Sequence, residues 1–142
     1  MTNEKSNPTD VQFILADDIR EETGGKLSLI GAYTGREITI TPNKAVPEGK
    51  IVAIPLAFLF IIRGTKGLTK VQFAVQAPSK KIVGSVALEP KIGTETTTNL
   101  VVRAPQMPLP EDGIYTVELS LPELGTEPYR FTFKVIFAAP SL

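Results

Sequence analysis

Tyr129-Arg-Phe-Thr-Phe-Lys-Val-Ile-Phe137 is the stretch on which the fold class turns. Tyr129, Phe131, Phe133, Val135 and Phe137 share one side of an extended chain, with Arg130, Thr132 and Lys134 on the other. A period of two puts alternate side chains on opposite faces of a strand, whereas the same residues on a helix would scatter around its axis. The stretch is read as a strand with an aromatic inward face, and Phe131 and Phe133 as core residues.

The same rhythm repeats on working outward. In Ile114–Leu121, Tyr115, Val117, Leu119 and Leu121 point inward, and Pro122-Glu-Leu-Gly125 is a connection of hairpin length to the strand that follows. Lys70–Ala77 alternates with Val71, Phe73 and Val75 inward, Pro78-Ser-Lys-Lys81 turns the chain, and Ile82–Leu88 runs back. Thr94–Arg103, rich in Thr and Val, reads as a further strand, followed by an extended connection through Pro105, Pro108 and Pro110. Val11–Ala16, Lys26–Tyr33 and Glu37–Thr41 complete the set near the start. A helical turn competes only over Asp17–Thr23, where Asp18 is placed to cap and Gly24-Gly25 to terminate. The expected fold is an all-β antiparallel sandwich of eight or nine strands, Ig-like or C2-like in outline, over residues 10–138. Flexible tails are expected at 1–9 and 139–142.

Ile51-Val-Ala-Ile-Pro-Leu-Ala-Phe-Leu-Phe-Ile-Ile62 breaks the alternation, because its apolar residues fall on both faces. Something must cover the second face. One reading is cover from the same chain, by the N-terminal segment or a Pro-rich loop such as Pro42–Lys50. The other is a subunit interface carried by Phe58 and Phe60, which implies a two-fold homodimer. Pro55 cannot donate to a ladder and so belongs at an edge or a bulge.

Composition narrows the function classes. The 142 residues (15.4 kDa) contain no Cys and no His, which excludes disulfides, thiolate and imidazole metal ligands, Cys nucleophiles and His-based triads. Fifteen basic residues balance fifteen acidic ones and the pI is 6.3, so no basic footprint for nucleic acid or an anionic membrane exists. The polar start and the absence of a long apolar run point to a cytoplasmic protein without a membrane span. No cofactor is expected.

The densest run of ionisable side chains is Ala16-Asp-Asp-Ile-Arg-Glu-Glu-Thr-Gly-Gly-Lys26. Asp17, Asp18, Glu21 and Glu22 offer carboxylate oxygens of the kind Ca²⁺ gathers from a loop, although their spacing is not that of an EF-hand. Alternatively Arg20 and Lys26 neutralise the acids locally and the run is a structural corner. Other constellations are weaker. Glu111-Asp112 reads as a loop tip, Ser79 with Lys80 or Lys81 as turn chemistry, and Gly64-Thr-Lys-Gly67 as a hairpin turn without Walker spacing.

Ala16–Tyr33 resembles the opening motif of a bacterial family designated only as a domain of unknown function, Ala-Asp-Asp-x-Arg-x-Glu…Gly-Lys-Leu-x-Leu-Ile-Gly-x-Tyr. The resemblance implies a small β-sandwich and brings no catalytic residues. It marks Asp17, Asp18, Arg20, Glu21, Gly25, Lys26, Leu29, Gly31 and Tyr33 as motif positions of unassigned role. The expectation is a non-catalytic interaction or assembly domain, not an enzyme, whose corner of Asp17, Asp18, Arg20, Glu21 and Lys26 meets a protein partner or a second copy. A Ca²⁺-dependent or small-ligand module using Asp17, Asp18, Glu21 and Glu22 is the alternative.

Overall fold

A computed structural model describes residues 8–40, 52–64, 70–89, 97–125 and 127–138. These form nine strands: β1 (Asp10–Glu21), β2 (Leu27–Ala32), β3 (Glu37–Ile40), β4 (Val52–Arg63), β5 (Val71–Gln76), β6 (Ile82–Leu88), β7 (Thr97–Leu109), β8 (Gly113–Ser120) and β9 (Tyr129–Phe137). The only helical element among the described residues is a single 3₁₀ turn at Pro122–Leu124, in the connection between β8 and β9.

The strands make a four-stranded sheet in the order β2-β1-β4-β7 and a five-stranded sheet in the order β3-β9-β8-β5-β6. Every pairing is antiparallel except that of β3 with β9. Placing β4 beside β7 in one sheet and β5, β8 and β9 together in the other is the B–E and C–F–G pairing of an immunoglobulin-like sandwich. β6 extends the second sheet as C′ does in variable-type domains. A second signature agrees. Tyr115, fully buried near the start of β8, donates its hydroxyl hydrogen to the Glu111 carbonyl at 2.6 Å and accepts from the Glu111 N–H at 3.1 Å. This is the tyrosine corner of that fold. Burial pushes the Tyr115 hydroxyl pKa above its usual value.

The core lies between the sheets and is aromatic. Phe58 and Phe60 of β4 are fully buried, with the Phe58 ring centroid 4.9 Å from Phe73 and 6.3 Å from Phe133. Tyr115 stacks on Phe133 at 5.1 Å. Phe133 and Val135 are buried as the alternation requires, but Phe131 is only half-buried and Phe137 is exposed, because β9 runs out toward the rim of the sandwich at both ends. Arg36 closes that rim over Phe131 and Phe13, its guanidinium 5.6 and 5.3 Å from the two ring centroids. Such a contact attracts the guanidinium to the electron-rich ring faces.

Several expectations are corrected. β1 continues as strand to Glu21, so Asp17–Thr23 is not a helical turn. β7 continues through Pro105 and Pro108 to Leu109, and what reads as a Pro-rich connection is the far end of an edge strand. Proline is tolerated there because its missing N–H faces no neighbour. Pro55 sits where the β4–β7 register shifts between Ile54 and Leu56, the bulge position open to a proline in a central strand. Thr9 donates its N–H to the Arg63 carbonyl at 2.9 Å, one residue before β1 begins. Residues 1–7, the Pro42–Lys50 segment, most of Gly64–Gly67 and residues 139–142 lie outside the described residues.

Candidate functional site: the β1–β2 hairpin

The acidic corner belongs to a hairpin with an unusual position. β1 pairs with β4 from Asp10–Arg63 to Ala16–Ala57, and beyond that point its partner is β2, from Asp18–Ile30 to Glu21–Leu27. β1 parts from β4 where Pro55 and the adjacent bulge remove a regular ladder to follow. The freed hairpin doubles back across the outer face of its own sheet. Ile19 packs with Ala16, Ala57 and Leu59 in a second small core, with Leu27, Ile14, Ile61 and Val101 around it. Ala16 and Ile19 are three residues apart yet enter the same cluster, so the two-residue alternation slips once, at Asp17–Asp18. At its tip, Glu22 donates its N–H to the Lys26 carbonyl at 2.8 Å, and Gly24 and Gly25 take φ of +82° and +77°.

This placement answers why β4 is apolar on both faces. The inward face carries Phe58 and Phe60, and the outward face carries Ala57 and Leu59, covered by a hairpin from the N-terminal part of the chain. Phe58 and Phe60 are therefore not an interface, since both are enclosed between the sheets on a central strand. The cover is incomplete toward the tip. Gly25, Leu27 and Leu29 overhang Leu59, Ile61, Thr97 and Asn99 around a cleft of about 340 Å³.

The corner residues separate within the hairpin. Asp17 accepts a hydrogen bond from the Tyr33 hydroxyl at 2.6 Å and lies against Gly31, whose φ is +63°. Asp18 accepts the N–H of Ile19 at 2.8 Å and has Arg20 at 3.8 Å and Arg103 at 3.9 Å. Arg103, on β7 opposite Ala57, reaches over β4 and donates Nη2–H to the Ile19 carbonyl at 2.6 Å. Glu21, Glu22 and Lys26 are exposed. The four carboxylates named for Ca²⁺ do not converge, because Asp17 and Asp18 are adjacent strand residues whose oxygens already accept different donors. Among the described residues no group of three or more acidic side chains could hold a metal ion. Ser79 donates its hydroxyl hydrogen to Glu111 Oε2 at 2.7 Å, tying two turns together rather than facing Lys80 or Lys81.

Sequence reasoning missed Arg103, Arg36 and the role of Tyr33. Arg103 and Arg36 act across the fold, and no local pattern announces a partner 84 positions away in the chain. Tyr33 titrates late: desolvation, then the Asp17 hydrogen bond and charge, push its hydroxyl up to about 12. The folded state holds this proton more tightly than the unfolded chain, so the stability it adds is complete below the usual tyrosine value of about 10. It is lost as pH rises through about 12. Alkaline spectrophotometric titration is expected to show Asp17→Asn lowering this ionisation and leaving that of Tyr115 in place.

No protein-family model matches the chain, and no curated protein does. Among solved structures it is similar to an immunoglobulin-like protein from Pseudomonas aeruginosa, at 10% identity and a TM-score of 0.42, with 93% of this chain and 96% of that chain covered.

Proposed function

We propose that this chain is a non-catalytic interaction domain that assembles with a second copy of itself through the free edge of β2. The observation carrying this reading is the makeup of that edge. Leu27-Ser-Leu-Ile-Gly-Ala32 holds no charged residue and no proline, and Leu29 and Ile30, adjacent residues on opposite faces, are each 40% exposed. Soluble proteins normally blunt such edges, because unpaired N–H and C=O groups invite another strand. β7 is blunted by Pro105 and Pro108, and β3 by having only four residues. A strand without charge is compatible with its own copy, and a balanced chain of fifteen acids and fifteen bases adds no net repulsion. The corner residues Asp17, Asp18, Arg20, Glu21 and Lys26 belong to the same hairpin and flank the proposed contact.

Light scattering over a concentration series tests it. The expected result is a mass rising from 15.4 kDa toward twice that value, reversed by Ile30→Lys with the circular dichroism of the sheet retained. β6 is also an uncharged edge, exposing Ile82 and Val86, so Val86→Lys is the comparison. A mass constant at the monomer value would remove self-assembly, and dispersal by Val86→Lys alone would move the contact to β6.

A further inference from the structure

The β1–β2 hairpin is attached to the rest of the molecule differently from every other pair of strands. Its backbone ladder to β4 ends at Ala16–Ala57, so among the described residues its strands are laddered only to each other from Asp17 to Ala32. Among the described residues, the one hydrogen bond across its underside comes from a side chain, Arg103 Nη2 to the Ile19 carbonyl. The packing beneath it is thin: Ile19 is enclosed, but the cleft of about 340 Å³ lies between the tip and Leu59 and Ile61. At its base, Gly31 with φ of +63° faces Asp17, a point where the backbone already departs from strand geometry. The core between the sheets is instead filled by interlocked aromatic rings.

We infer that the hairpin is a flap that opens from the outer face of β4 independently of the two-sheet core, with the Arg103–Ile19 hydrogen bond as its latch. Segments with few buried apolar contacts and few hydrogen bonds to their surroundings open at lower free energy than the whole molecule. Opening breaks that hydrogen bond and the 3.9 Å Arg103–Asp18 ion pair and uncovers Ala57, Leu59, Ile14 and Ile61, while every ladder among β4, β5, β7, β8 and β9 stays intact. The flap therefore gates an apolar strip that the closed molecule hides. This inference does not depend on β2 pairing with a second copy, because opening is a motion within one chain and its rate is independent of protein concentration.

The absence of native cysteine makes a direct test possible. Leu59→Cys places one thiol beneath the flap, and Val117→Cys places one in the core between the sheets. Under native conditions the Leu59→Cys thiol is expected to react with a small alkylating reagent at least about tenfold faster than the Val117→Cys thiol, at a rate unchanged by dilution. Adding Arg103→Met is expected to speed the first reaction about tenfold, the worth of one hydrogen bond to a charged group, and to leave the second almost unchanged. Equal labelling rates at the two thiols, or no acceleration at Leu59→Cys on adding Arg103→Met, would show that the hairpin opens only by global unfolding and overturn the inference.

Discussion

Replacing Phe58 by alanine is expected to lower the unfolding free energy by about 3–5 kcal/mol, the usual range for removing a fully enclosed aromatic side chain. Phe58 is 0% exposed and touches the rings of Phe13, Phe73 and Phe133, so the neighbours that would have to collapse into the void come from both sheets. Rigid strands on either side cannot close it. Urea unfolding followed by circular dichroism reads the loss directly, as a lower midpoint at unchanged slope. Arg130→Ala on the solvent side of β9 is the matching control. Arg130 pairs with Glu118 at 2.9 Å on the surface, and that contact is worth no more than about 1 kcal/mol. Phe58→Glu is expected to leave an unfolded chain rather than a folded monomer, because a carboxylate there has no partner and no water. Comparable losses for Phe58→Ala and Arg130→Ala would mean that the face of β4 described above is wrong.

The second large effect is expected at Gly31. An alanine there must hold φ near +63°, which costs an L-residue roughly 1–2 kcal/mol. Its Cβ would also fall on the Asp17 carboxylate, only 2.8 Å from Asp17 Cγ, so Asp17 must swing away and release the Tyr33 hydroxyl. Losing a hydrogen bond to a charged acceptor adds roughly 1.5–3 kcal/mol, for a sum near 3 or 4. A double-mutant cycle separates the two parts. In an Asp17→Ala background the carboxylate collision and the hydrogen bond are gone and only a tight 3.1 Å approach to the Cβ of residue 17 remains, so Gly31→Ala is expected to cost little more than the backbone share of about 1–2 kcal/mol. Strict additivity of the two substitutions would show that Gly31 and Asp17 do not meet.

The sheet was legible where one face is wet. β5, β8 and β9 alternate cleanly because their outward residues meet water, and each is found within a residue or two of where the pattern puts it. β4 was legible as a strand but not as to what covers it. An apolar residue facing the core and one lying under a hairpin look alike in the sequence, so Phe58 and Leu59 could not be told apart. β7 was cut short because proline usually ends an element, and the sequence does not say that this strand lies at an edge where proline is harmless. The acidic corner was found as a cluster and misread as a turn. Asp-Asp followed by charged residues favours turns locally, and what overrides the preference is Ile19, buried against Leu59 more than thirty positions away. The Tyr33–Asp17 and Arg103–Ile19 contacts join residues that only the folded hairpin brings together, and no spacing rule reaches that far.

The parallel pairing of β3 with β9 has a kinetic side. Glu37 lies opposite Lys134, so this ladder joins residues 97 positions apart. Contacts of such separation form late, since the entropy of closing a long loop must be met before they stabilise anything. During synthesis, the four strands of the first sheet have all been made once Leu109 is added, whereas the second sheet waits for Phe137, 28 residues later. At roughly 5–20 residues per second that interval lasts about 1–6 s. During that interval β3, β5 and β6 are already made and β8 is complete at Ser120, so the inner face of β4, with Phe58 and Phe60, waits longest for Phe133 of β9.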